Sequence, residues 1–518
     1  MSERGASTVE QELIAHPGEA HSSATQHRPR ELFKRFRAAA RRVPRAAWAC
    51  ALIACLNAAC WSLITPPFQV MNEPSHFAYV QYLAETGHLP TSNSLSYAPD
   101  EEIALEDVKQ EQVRYSPQYH PIFTERQQRS LERDLALPLP RIDPAAGFAA
   151  SEPPLYYALE AIPYYAGSSG TILDRLALMR LFSALTAGVT ALFVFLFLRE
   201  ALPRTPWAWS IGGLGVAFAP LLALMSGAVN PDALLCALSS VLFYCLARGF
   251  RRGLTPALAI ATGAVIAAGL LTKLNFIGLL PGAMLGLLLI TIRTRRTAGR
   301  SAYRSLALSL ATTAAPLTLY VIVNLLSGRR AYGTLSPGVS STTAKGSVLK
   351  EIGYIWQFYL PRLPGMHDYF AGLSTTRQLW IDGFVGLYGW VDTVFPAWVY
   401  SAALVPLALL GILLGRALLV NHEQLRRRLP ELAVYTTIAL GLMILIGASD
   451  YLELPGGIGS YAQPRYLLPL IALYGAGLAL AARGAGRRWG PVVGVLIVGL
   501  LIAHDVFSQL LEISRFYG

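Results

Sequence analysis

Charge is the scarcest commodity in this chain. Of 518 residues, 14% are Asp, Glu, Lys or Arg and 53% are hydrophobic, with a mean hydropathy of +0.41. An ordinary soluble domain carries roughly 25% charged residues. The deficit fits an integral membrane protein better than a large soluble core. Cysteine is also sparse: Cys50, Cys55 and Cys60 fall in the first apolar run, Cys236 and Cys245 in the fourth, and none in a long polar loop. No disulfide framework is implied there, and the spacing is not that of a zinc site. A phosphate-cradling glycine loop, a GxSxG elbow and an HExxH helix are all absent. No internal repeat is evident, which weakens a transporter built from inverted halves.

What the chain has is eleven long apolar runs, near 46–65, 177–198, 207–225, 232–248, 256–272, 274–292, 303–326, 397–415, 431–449, 465–482 and 489–507. Each is long enough to cross a bilayer. The expected fold is an all-α integral membrane protein of about eleven transmembrane helices. Residues 1–45 read as a basic cytoplasmic tail and 46–518 as a polytopic membrane domain. The first run has no obvious cleavage site after it and reads as a retained helix.

The charges between the runs sort by side. One set of loops holds the arginine clusters, such as Arg248, Arg251 and Arg252, or Arg426, Arg427 and Arg428. The only basic residues in the short loops of the other set are Lys273 and Arg465. Basic clusters mark the cytoplasmic side, which puts the N-terminus inside and the C-terminus outside. The net charge of +11 thus resides in juxtamembrane clusters suited to anionic lipid, and nucleic acid is not a partner. Two large loops, 66–176 and 327–396, face the outside. The first holds a solvated helical insert at about 97–150. The second holds an aromatic segment, Ile352 to Leu360, that reads as an interfacial helix.

Candidate chemistry gathers on that outer side. Asn72-Glu73-Pro74-Ser75-His76 opens a short helix stopped by Gly87, with Asn72 as cap and Glu73 and His76 on one face. Glu73 suits a general base there, and equally suits a plain complement to the helix dipole. Asn230-Pro231-Asp232 is a strong helix start that also presents Asp232 to the same side. Lys273 and Arg465, the latter followed by Tyr466, sit at helix N-termini where the dipole disfavours a cation. They either snorkel to headgroups or converge on an anion such as a lipid phosphate. Tyr157 in Pro153-Pro154-Leu155-Tyr156-Tyr157, and Trp390 with Asp392 in Gly389-Trp390-Val391-Asp392, suit either a sugar ring or an interfacial belt.

Taken with Pro66-Pro67-Phe68-Gln69, Leu271-Thr272-Lys273 and Arg465-Tyr466-Leu467-Leu468-Pro469, these motifs over about 60–475 resemble a bacterial membrane-protein family, domain of unknown function 2142. That family in turn resembles the C-type membrane glycosyltransferases, the GT-C superfamily. The resemblance implies a multi-pass protein of the inner membrane, with two large periplasmic loops and a GT-C-like fold. It implies transfer of a sugar from a polyprenyl-phosphate donor to an envelope glycan, lipid or protein. Glu73 would be the base and His76 its orienting partner. Asn72, Asp232, Tyr157, Trp390 and Asp392 would bind substrate, and Lys273, Arg465 and Tyr466 the lipid phosphate. The chain departs from the family pattern at Asn72, where Asp is usual, so this position cannot take a proton. No metal ligand is assigned, and a divalent cation is left open. A flippase of lipid-linked saccharides, or a glycan polymerase or ligase, is the alternative function.

Overall fold

The computed structural model describes residues 41–91, 95–137, 139–140, 142–329, 348–370, 376–453 and 463–518. Most of the basic tail (1–40) and the stretches 330–347 and 371–375 of the second loop therefore lie outside the described residues. The described residues are mostly helical; the strands among them are two antiparallel two-residue pairs, Leu95–Ser96 with Ala145–Ala146 and Leu387–Tyr388 with Thr393–Val394.

Among the described residues, 9 helices are long and apolar enough to cross a membrane, or 10 counting a pair bent by 59°, Pro206–Ala217 with Pro220–Ser226. The sequence suggested eleven. The bend falls where Pro220 opens the second segment, because proline cannot continue the hydrogen-bond ladder of the first. The remaining run forms a shorter apolar helix, Pro256–Thr272.

Burial separates centre from periphery. In Asp232–Arg252, 72% of the apolar window is buried, against 11% in Ser301–Leu326 and 6% in Ala397–Val420. Leu326, Trp398, Leu419 and Val420 stand exposed on the outer helices. Apolar surface on that scale requires lipid rather than water around it. Small residues let helices approach closely. A Cβ at Gly484 would overlap the Leu413 carbonyl, and one at Gly263 the Ser309 carbonyl.

The two ends of the bundle differ. At one end the arginine clusters meet: Glu200 binds Arg248, Arg251 and Arg252, and Arg428 donates to the Ala201 carbonyl. At the other end lie the loop helices Glu73–Thr86, Pro99–Asp107, Glu125–Leu135 and Leu155–Ala166. The solvated insert is indeed helical, with Thr124 and Gln127 forming a capping box. The aromatic segment of the second loop is helix Val348–Tyr359, which buries Tyr354 and Phe358 while Ile352 and Trp356 stay exposed. Arg42 lies at the basic end, where its carbonyl accepts from Arg199. The last helix, Gly486–Tyr517, ends among the loops: Phe516 O accepts from Phe123 N, and Arg515 reaches the carbonyls of Val113, Ser116 and Pro117. The first and last described segments thus sit at opposite ends of the bundle.

Candidate active site

The segment Thr65–Asn72, between the first long helix and Glu73–Thr86, is the spine of the site. Phe68 and Asn72 both have positive φ, 62° and 69°. Asn tolerates that left-handed conformation. Asn72 stands at the cap position, but its side chain makes no capping bond, contrary to the expected role. Gly87 closes the helix in the left-handed region, φ 71°, as expected.

Glu73 is fully buried and saturated. Oε1 accepts from Arg180 Nε (2.8 Å) and Val229 N (3.0 Å), and Oε2 from Arg180 Nη2 (2.5 Å) and Phe68 N (3.1 Å). Arg180 spends its remaining donors on the carbonyls of Ser62, Thr65 and Pro66. A carboxylate has about four acceptor sites and a guanidinium five donors; all are in use. A general base at Glu73, as expected, would have to work from this setting. Its lone pairs already hold a buried cation and two backbone N–H groups, so taking a proton would dismantle the anchor.

Three of the predicted side chains do converge. Asn230 Oδ1 accepts from Asp232 N and starts helix Asp232–Arg252. Lys273, where helix Pro256–Thr272 ends, places Nζ 2.7 Å from Asp232 Oδ1. Arg465, in the 3-10 turn Pro464–Leu470, places Nη1 3.8 Å from Asp232 Oδ2. Tyr466 lies under both cations, its ring centroid 6.0 Å from Lys273 Nζ and 5.4 Å from Arg465 Cζ. Glu73 sits just behind, joined through Val229 three residues before Asp232.

This cluster is unsatisfied where the Glu73–Arg180 pair is full. Arg465 is 3% exposed, yet its hydrogen bonds to described residues are long: Met71 O at 3.5 Å and Met225 Sδ at 3.9 Å. Asp232 Oδ2, Arg465 Nε and Glu152 Oε2 are buried without a hydrogen-bond partner among the described residues. Burying such groups unpaired is costly, so native orphans call for an explanation. Burial, and then the charges of Lys273 and Arg465, push His76 well below the ordinary imidazole value. Burial pushes Glu152 up, with Lys273 pulling it back.

The aromatic expectations fare differently. Tyr157 is fully buried, its face stacked on Tyr79 at 3.7 Å and its hydroxyl 2.9 Å from His76 Nδ1. It positions His76 and offers no open face to a sugar. Trp390 lies across the spine: Nε1 donates to Phe68 O, and Tyr115 packs against its ring at an edge-on angle. Asp392 Oδ1 accepts from Trp390 N, holding Val391 at φ 61°, and Oδ2 faces Arg515 at 3.4 Å. Burial lifts Asp392 to about 6, opposed mainly by Arg515. Trp390 and Asp392 therefore pin the second loop to the spine and do not join Asp232. No group of three or more His, Cys, Asp or Glu that could hold a metal occurs among the described residues.

Sequence reasoning missed Arg180 and Arg515. Arg180 was legible as the one charge inside the second apolar run, and a lone charge in a span needs a partner.

Helices with lipid-type exteriors, around a buried polar centre at the end opposite the arginines, define a polytopic membrane protein with a candidate ligand site. Residues 55–474 match the family described as predicted membrane protein, domain of unknown function 2142, and the chain belongs to that family. No curated protein matches it. ArnT from Cupriavidus metallidurans bound to undecaprenyl phosphate is similar over 87% of this chain and 63% of its own length, at 13% identity and a TM-score of 0.44. The apo state of ArnT is similar over 90% of this chain and 73% of its own, at 14% identity and a TM-score of 0.42. The chain thus spans less than two thirds of the first of these structures.

Proposed function

We propose that the protein transfers a sugar from a polyprenyl-phosphate donor to a cell-envelope acceptor, at the periplasmic face of the bacterial inner membrane. The N-terminus is then cytoplasmic and the C-terminus periplasmic, in keeping with the arginine-rich end of the bundle. The observation that carries the reading is Arg465. It is a buried guanidinium with unspent donors, beside Lys273 and a carboxylate with a spare oxygen. A fork of donors backed by an ammonium suits a phosphate.

In this reading the donor phosphate enters between Lys273 and Arg465 and draws the ammonium off Asp232. The acceptor hydroxyl attacks the anomeric carbon, and the bond from that carbon to the phosphate oxygen breaks. The released polyprenyl phosphate keeps the electron pair, and the two cations stabilise its growing charge. Asp232, not Glu73, is the carboxylate placed to take the hydroxyl proton. His76, neutral and fixed by its hydrogen bond with Tyr157, stands beside the cations without adding charge.

The test supplies labelled polyprenyl-phosphate sugar and a membrane acceptor fraction to the purified protein. Asp232→Asn is expected to lower transfer by a factor on the order of 100 or more, the usual range for loss of a general base, beyond the loss of stability that unpairing buried Lys273 brings, which thermal unfolding of the variant measures separately. Lys273→Ala with Arg465→Ala is expected to abolish donor binding. Undiminished transfer by Asp232→Asn, or undiminished donor binding by the double variant, refutes the reading.

A further inference from the structure

The opposite end of the bundle carries a cavity that the transfer chemistry does not use. It measures about 510 Å³ and is lined by Arg204, Arg251, Arg293, Arg427, Arg428 and Arg483, with Glu200 and Glu431 as its acids. Both acids are already engaged. Glu200 binds Arg248, Arg251 and Arg252 at 3.3, 3.1 and 3.2 Å, and Glu431 binds Arg428 at 2.7 Å and the Tyr435 hydroxyl at 2.8 Å. Arg204, Arg293 and Arg427 have no carboxylate partner among the described residues. They come from three separate parts of the chain: the loop after Ile172–Ala201, the helix Leu280–Ala298, and the turn before Leu429–Glu453. Unrelated segments therefore deliver unpaired guanidinium groups to one concave space.

We infer that this cavity is a binding site for a phosphate-bearing anion. Like charges held together without counter-charge repel, and a dianionic or diester phosphate relieves that repulsion while filling several guanidinium forks. Ala201, Leu202, Pro203 and Phe250 also line the cavity, which sits where several apolar helices end. An apolar wall beside a cationic floor is the setting of an anionic phospholipid headgroup at the membrane boundary. A soluble phosphate shares the chemistry of the floor but makes no use of the wall. The inference is independent of the proposed transfer, because none of these residues touches Asp232, Lys273 or Arg465.

The experiment reconstitutes the full chain in nanodiscs of equal phosphatidylglycerol and phosphatidylcholine, and counts retained lipid by native mass spectrometry. A parallel arm titrates inorganic pyrophosphate into the protein in uncharged detergent. The variant is Arg204→Gln, Arg293→Gln, Arg427→Gln; all three side chains are exposed, so folding is expected to survive, and elution profile and melting temperature check it. The matching triple Lys variant keeps the charge. Wild type is expected to retain phosphatidylglycerol over phosphatidylcholine by at least tenfold, the Gln variant to lose that selectivity and the Lys variant to keep most of it. Saturable pyrophosphate binding, lost in the Gln variant and without lipid selectivity, supports the phosphate site and assigns a soluble source. Equal lipid retention by wild type and the Gln variant, together with no saturable pyrophosphate binding, overturns the inference. If the Gln variant misfolds, the Lys variant and the wild type decide, and a wild type with neither lipid selectivity nor saturable pyrophosphate binding overturns the inference.

Discussion

Replacing Glu73 with Gln separates two roles that a kinetic assay alone confuses. Glu73→Gln is nearly isosteric, so a simple base loses activity and keeps its fold. The observed contacts demand a different result. The carboxylate neutralises Arg180, which is 4% exposed, and accepts four hydrogen bonds, two of them from the backbone of Phe68 and Val229. An amide can satisfy one side of that arrangement. Its NH2 group must then face Arg180 together with a backbone N–H, donor against donor. Breaking a buried ion pair by removing one partner costs roughly 3–5 kcal/mol. Leaving a buried backbone N–H unpaired costs about 1–3 kcal/mol, a contribution that overlaps the first because relaxation is shared. A loss of roughly 3–5 kcal/mol is therefore expected for Glu73→Gln, and a similar loss for Arg180→Gln. The double variant should cost less than the sum of the two by about 2 kcal/mol or more, since neighbouring partners are non-additive. Reversible unfolding in mixed detergent micelles, run as a double-mutant cycle, measures all four states. Unchanged stability of Glu73→Gln with transfer abolished refutes the anchor and restores the base.

Two further outcomes follow from the loop end of the bundle. Burial lifts Glu160, which accepts from the Ser183 hydroxyl, to about 8. The fold then binds a proton that the unfolded chain gives up, so this group's stabilising contribution is full below about 4.5 and is lost as pH rises through about 8. Glu160→Gln is expected to flatten the fall in melting temperature between pH 5 and pH 9; an unchanged slope refutes the assignment. Arg515 ties the last helix to the carbonyls of Val113, Ser116 and Pro117 and to Asp392. Arg515→Met is expected to speed tryptic cleavage after Lys109 and Arg114 several-fold with the membrane helices intact; protection equal to wild type counts against the tie.

The candidate site shows how far residue patterns reach. Lys273 and Arg465 were conspicuous because each is a cation at a helix start, against the dipole, and they are the only basic residues of the short loops on that side. Asp232 was conspicuous as part of a helix-start motif. Their meeting was not legible: they lie on three helices, and no spacing along the chain fixes which faces turn together. Glu73 and Trp390 illustrate the converse. Residue type and position suited each to chemistry, and the neighbours decided otherwise, a guanidinium in one case and the Phe68 carbonyl in the other. Asn72 was named as a cap, but its left-handed backbone directs the side chain away from the helix N–H groups.

By itself the sequence determined that this is a helical membrane protein, where its long apolar helices fall, and which loops carry the arginines. Those properties are local: hydrophobic length, proline and glycine punctuation, and charge beside each run express themselves within a few residues. Only the tertiary structure decided that Glu73 is spent on Arg180 while Arg465 keeps donors free. Whether a buried charge is saturated depends on partners more than 100 residues away, and it is packing between helices, not the order of residues along them, that brings those partners within reach.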